Sequence, residues 1–175
     1  MKLYKIYSRA IGLLFALSLL CVGCENEDIL DINDLEISPS NPESVIIVEP
    51  DDGITSVNAL TRAINENGDA TYILRRDGVY YMEGKNVFKH NVVIKAENGS
   101  GKMPIIQPIC DAQGALNADM IRLEGSATFE NIYIIGKDAA TGNLMQRLFR
   151  IDESNVRLKF DHCFIDHCRN FCIRT

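Results

Sequence analysis

The sequence predicts a mostly β domain stacked as a solenoid, with one helix near its start. Two observations carry that prediction. After one amphipathic stretch, the chain runs as short apolar segments separated by polar or glycine turns: Tyr72-Ile73-Leu74, Val79-Tyr80-Tyr81-Met82, Asn86-Val87-Phe88 and Val92-Val93-Ile94. Many short strands at close intervals suit a sandwich, a barrel or a stacked solenoid. Internal repetition decides among them, because Ile94-Lys95-Ala96, Phe129-Glu130-Asn131-Ile132-Tyr133-Ile134 and Phe160-Asp161-His162-Cys163-Phe164-Ile165 share one pattern at intervals of 35 and 31 residues. In each copy an inward apolar residue precedes an outward charge; in the two fuller copies a turn position follows and alternation resumes. Intervals of that size are those of a solenoid coil with variable loops.

The chain opens on an address. Lys2, Lys5 and Arg9 precede the apolar run Ile11 to Leu20, and Cys21-Val22-Gly23-Cys24 follows. This is the pattern of a secretory signal peptide over residues 1–23. The apolar run is about half of the roughly 20 residues that a membrane-spanning helix needs. The end of the signal resembles a bacterial lipobox, with Gly23 before the cleavage point and Cys24 as the residue to be acylated; Cys21 stands where such boxes usually carry Leu. The resemblance implies a protein held on a membrane through an N-terminal lipid.

From Glu25 to Thr61 there are ten acidic residues and no Lys or Arg. From Arg62 to Thr175 basic side chains outnumber acidic ones by a single residue, 15 to 14, so the acidity belongs to the front of the chain. Residues 24–44, with Ser38-Pro39-Ser40-Asn41-Pro42, cannot bury enough apolar surface to offset chain entropy and are expected to form a flexible tether. Glu25, Glu27 and Asp28, directly after the lipid cysteine, resemble the export signal of Bacteroidetes surface lipoproteins, which implies display on the outer membrane at the cell surface. No basic stripe or aromatic platform appears in the globular part, so nucleic acid is a poor partner.

The domain then begins at residue 45 and runs to residue 175. Val45-Ile46-Ile47-Val48 reads as a strand, turned by Asp51-Asp52-Gly53. Thr55 or Ser56 is placed to cap a helix in which Val57, Leu60 and Ile64 form one apolar face, and Asn67-Gly68 ends it. That face must cover something. The whole stretch from Val45 to Gly84, with Gly68-Asp69 and Asp77-Gly78-Val79-Tyr80-Tyr81, resembles the opening of right-handed parallel β-helices of the pectate-lyase-like superfamily. In that superfamily an amphipathic helix plugs the first coil. Phe149-Arg150-Ile151-Asp152 and Cys172-Ile173-Arg174-Thr175 are also similar to coil segments of Bacteroidetes β-helix lipoproteins. The resemblance implies binding or processing of polysaccharide, or a non-catalytic adhesin or structural module. Because the chain stops on an apolar alternation, Cys172-Ile173-Arg174-Thr175, it reads as the front of a longer solenoid.

The segment Phe160 to Thr175 crowds two histidines and three cysteines together, the ligand types of zinc. By comparison with the earlier copy, His162 takes the turn position of Asn131 and Cys163 the inward position of Ile132, so packed thiols and turn histidines are preferred to a metal. Cys110, Cys163, Cys168 and Cys172 leave a disulfide open as an alternative. Asn155 to Cys163 is similar to the pectate-lyase coil built on Val-Trp-Ile-Asp-His; Asp161 and His162 match, and Lys159 stands at the Trp position. Lyases of that kind need calcium and a basic residue that removes a proton. If the copies stack, Lys95, Glu130 and Asp161 line one outward row, with Thr128 and Lys159 beside it. Glu130 and Asp161 are then the candidate calcium ligands and Lys159 the candidate base; the plainer reading is a ladder of opposite charges. Arg147, Arg150, Arg169 and Arg174 are candidates for gripping a sugar carboxylate. Asn98-Gly99-Ser100-Gly101-Lys102-Met103 lacks the first glycine and the hydroxyl of a phosphate loop and reads as a turn, and His90 is expected to be exposed.

Overall fold

The computed structural model describes residues 44–175. The signal segment, the acylation candidate Cys24 and the tether up to residue 43 lie outside the described residues. The described part is mostly β, with one helix and three parallel sheets. Strands β1 (Val45–Val48), β2 (Ala70–Leu74), β5 (Val92–Ala96), β8 (Ala127–Glu130) and β11 (Leu158–Asp161) pair in that order as the first sheet. The second holds β3 (Val79–Glu83), β6 (Ile105–Ile109), β9 (Tyr133–Ile135) and β12 (Phe164–Asp166), and the third β4 (Asn86–Phe88), β7 (Asp119–Leu123), β10 (Met145–Ile151) and β13 (Cys168–Arg174). From β2 onward the chain visits the three sheets in turn. Each circuit adds one strand to every sheet.

Register stacks like on like. Ile46, Tyr72, Ile94, Phe129 and Phe160 are successive partners through the first sheet, and Tyr80, Ile106, Ile134 and Ile165 through the second. These alternate positions point inward. Tyr72, Tyr80, Ile94, Ile106, Phe129 and Ile134 are fully buried. Phe129 lies parallel to Phe160 at 5.6 Å between ring centres, and Phe149 from the third sheet meets both edge-on at 5.4 and 5.3 Å. Such aromatic contacts add about 0.5–1.5 kcal/mol each beyond area burial.

The helix α1 (Ala59–Asn67) touches β1 and β2 of the first sheet, β3 of the second and β4 of the third. Its Leu60 and Ile64 are fully buried and close the interior at that end. Its start differs from the sequence expectation. Val57 precedes the helix, and neither Thr55 nor Ser56 caps it: Asn58, in the left-handed region at φ 60°, is the N-cap residue and makes no side-chain cap hydrogen bond. The Asp51 carboxylate does that work from eight residues away, accepting the Ala59 N–H at 3.1 Å, the Ser56 hydroxyl at 2.8 Å and the Tyr81 N–H at 3.0 Å. Asp52 in turn accepts the N–H groups of Ile54, Thr55 and Ser56. The Thr55 hydroxyl and those three amides hold its carboxyl well below the usual carboxylate range. The helix ends where expected, at Gly68, whose N–H bonds to the Ile64 carbonyl.

Side chains also link successive circuits at the corner before the first sheet. Asp69 accepts the Asn91 N–H at 3.1 Å, Asn91 accepts the Ser126 N–H at 3.0 Å, and Ser126 accepts the Arg157 N–H at 3.1 Å. Each circuit thereby satisfies an amide of the next. Close backbone approach at these corners demands glycine: a Cβ on Gly125 would stand 2.3 Å from the His90 carbonyl oxygen. Gly125→Ala should therefore force the neighbouring circuits apart and cost about 1–3 kcal/mol. A urea midpoint indistinguishable from that of the parent would contradict this packing.

Candidate functional site

Two outward rows carry the charged chemistry. On the first sheet Lys95, Glu130 and Asp161 are register partners on β5, β8 and β11, and Thr128 and Lys159 are partners beside them. The stacking expected from the repeats is thus present. Whether this row suits calcium is a question of donors. Glu130 and Asp161 are two carboxylates where calcium takes six to eight oxygens, a lysine occupies the adjoining rung, and His162 Nδ1 lies 2.6 Å from Asp161 Oδ1. Among the described residues no group of three or more His, Cys, Asp or Glu gathers as a metal site would. The donor set does not fit calcium. Lys95 offsets one of the row's two carboxylates, and Lys159 stands in the row beside it.

The third sheet is different. Val87, Arg122, Arg150 and Arg174 are register partners on β4, β7, β10 and β13, so three arginines stand one above another at the roughly 4.8 Å strand spacing. In the neighbouring row Asp119, Arg147 and Phe171 are partners. Two carboxylates knit the inner part of this face. Asp152 pairs with Arg122 Nε and accepts Arg150 Nε–H at 2.6 Å, while Asp119 pairs with Arg147 and lies 3.7 Å from Arg150 Nη1. Hydrogen bonding and charge from Asp152 raise the Arg150 guanidinium above its ordinary value. Arg174, on the next rung, and Arg169 are exposed and have no ion pair among the described residues, and Phe171 beside them is 58% exposed.

Of the sequence candidates, Arg150 and Arg174 are brought together, with Arg147 one row away; Arg169 lies on the same strand as Arg174. Arg122, Asp119, Asp152 and Phe171 were not singled out by sequence. Their spacing hides them: Arg122, Arg150 and Arg174 are 28 and 24 residues apart, because the loops between circuits differ in length. A shallow cavity of about 340 Å³ between β1 and α1, lined by Ile46, Val48, Ala59, Arg62 and Glu66, lies among elements remote in sequence from both rows.

The terminal histidines and cysteines divide by direction. His162 and His167 sit at φ 50° and 59°, as Asn131 does at 58°, so both histidines occupy turn positions. Cys163 is half-buried, with its Sγ 3.3 Å from the Phe129 carbonyl, and burial pushes its thiol up. Cys168 Sγ and Cys172 Sγ are 2.9 Å apart, and their hydrogen bond together with burial pushes the Cys172 thiol up to about 11. His90 stands 3.3 Å from Asp69 and is partly exposed. Cys110 packs near Thr141 beside the buried Asp138. Among the described residues no helix is long and apolar enough to cross a membrane. No family model matches the chain, and no curated protein matches it.

The Asp152 carboxyl lies below the usual range. Burial works against its anion, but the Arg150 hydrogen bond and the charges of Arg122 and Arg150 outweigh that. A depressed folded-state value gives stability that is present above the unfolded aspartate value of about 3.9 and lost as pH falls through the folded value. Urea midpoints measured down a pH series should hold level to about pH 4 and then fall, and Asp152→Asn should show a shallower acid fall from a lower neutral value. Parallel acid limbs in the two proteins would count against the pairing.

Proposed function

We propose that this chain is a lipid-anchored surface protein whose domain is a right-handed parallel β-helix, and that it binds acidic polysaccharide along the arginine row of its third sheet. Three parallel sheets visited in strict turn support the β-helix, and parallel crossovers are right-handed in about 98% of cases. The basic, apolar and cysteine-ended leader supports export and acylation of Cys24. The in-register row Arg122, Arg150 and Arg174 is the observation that carries the binding reading.

Guanidinium groups grip carboxylates through paired, parallel hydrogen bonds. Strand spacing of about 4.8 Å sets Arg174 one rung beyond the carboxylate-paired Arg150, so a uronate carboxylate meets the stack at its outer rung. Exposed Phe171 adds an apolar ring against which a sugar face can rest. Asp119 and Asp152 pair with the inner arginines, while Arg174 and Arg169 have no ion pair among the described residues. Binding without turnover is the reading favoured, since the Lys159, Glu130 and Asp161 set lacks the ligands for a calcium-dependent lyase.

On immobilised polyuronate the full-length protein should be retained at low salt and released as salt screens the contacts. Neutral polysaccharide should not retain it. Arg174→Ala, which breaks no ion pair among the described residues, should weaken binding about tenfold, the loss of one charge-assisted contact. Equal retention on neutral polysaccharide, or unchanged affinity in that variant, would overturn the reading; unsaturated uronate absorbance in the flow-through would restore the lyase alternative.

A further inference from the structure

Strand β13 carries one residue more than its neighbour. Met145 pairs with Cys168 and Arg147 with Phe171, so β13 takes three steps where β10 takes two. An extra residue in one strand bends it and sharpens its twist. The bend falls between two thiols that face the same way: Cys168 stands over Met145, and Cys172 falls between the Arg147–Phe171 and Phe149–Ile173 pairs, opposite Leu148. Met145 and Leu148 are buried, so both cysteines point toward the interior. Residues four apart on a regular strand are separated by about 13 Å. Here the two Sγ atoms are 2.9 Å apart, closer than unbonded sulfurs ordinarily pack. Cys168 is half-buried and Cys172 exposed, so an oxidant can reach them, whereas Cys163 turns to the Phe129 carbonyl.

We propose that Cys168 and Cys172 form an intrachain disulfide that staples the bulge of β13. The oxidant is a disulfide, of a protein or of glutathione. One cysteine thiolate attacks it, forming a mixed disulfide and expelling the oxidant's first thiolate. The second cysteine then attacks the mixed disulfide, the Cys168–Cys172 bond closes, and the oxidant leaves fully reduced with two electrons and two protons. An exported protein meets such oxidants routinely. The staple fixes the strand that carries Phe171 and Arg174, but its formation is independent of what that row binds.

Trypsin separates the two sulfurs, because Arg169 lies between them. The full-length chain, equilibrated in an oxidising glutathione buffer, is blocked with an alkylating reagent and digested without reduction. Peptides 160–169 and 170–174 should be recovered as one linked species that reduction separates. Because peptide 160–169 also contains Cys163, the link should persist in Cys163→Ser and disappear in Cys168→Ser. Separately alkylated peptides from the parent protein would overturn the proposal, and so would a link that survives Cys168→Ser and vanishes in Cys163→Ser.

Discussion

Parallel pairing in constant register is the constraint on which everything else here depends. A strand position occupied by an apolar residue in one circuit lies directly over the same position in the next, about 4.8 Å away. Tyr72, Ile94, Phe129 and Phe160 therefore build a column rather than a scattered core. The same rule acts on the outside, where it turns single residues per circuit into rows. A slip of one residue would exchange inside for outside, so the core enforces the rows.

Such a stack has a difficulty at its ends and corners, where no circuit supplies the next partner. At the β1 end a helix provides the apolar cover, and Asp51 joins that helix to β3 by accepting both the Ala59 and Tyr81 amides. At the corner before the first sheet, Asp69, Asn91 and Ser126 accept amides of successive circuits. These contacts explain why small polar residues and glycine recur where the chain turns. An apolar side chain there would remove the acceptor that each of these amides meets.

What the sequence made legible follows from distance along the chain. The strand at Val45, the helix with its Leu60 and Ile64 face, its Gly68 end and the Lys95–Glu130–Asp161 row rest on local periodicity or on a repeat with nearly constant spacing. The helix start was misread because its cap comes from Asp51, while Thr55 and Ser56 bind Asp51 and Asp52 instead. Strand β6 escaped notice because Pro108 interrupts its pattern; the structure accommodates it because pairing with β9 covers only Ile105 and Ile106. The arginine row was half visible, as a list of arginines without an arrangement. Unequal loops erase the period that would have aligned Arg122 with Arg150 and Arg174.

The two outward rows differ in how their charges are distributed. In the first sheet Lys95 adjoins Glu130, so those two rungs supply opposite charge, while Glu130 and Asp161 are like-charged neighbours with Lys159 in the adjoining row. In the third sheet Arg122, Arg150 and Arg174 repeat one sign, an arrangement that disfavours pairing unless anions lie between the rungs. Asp152 and Asp119 supply two such anions, both at the inner arginines. The outer rung carries Arg174, which is exposed and has no ion pair among the described residues, on the same strand as the exposed ring of Phe171. In the proposed reading, a ligand carrying carboxylates would supply the anions for that rung.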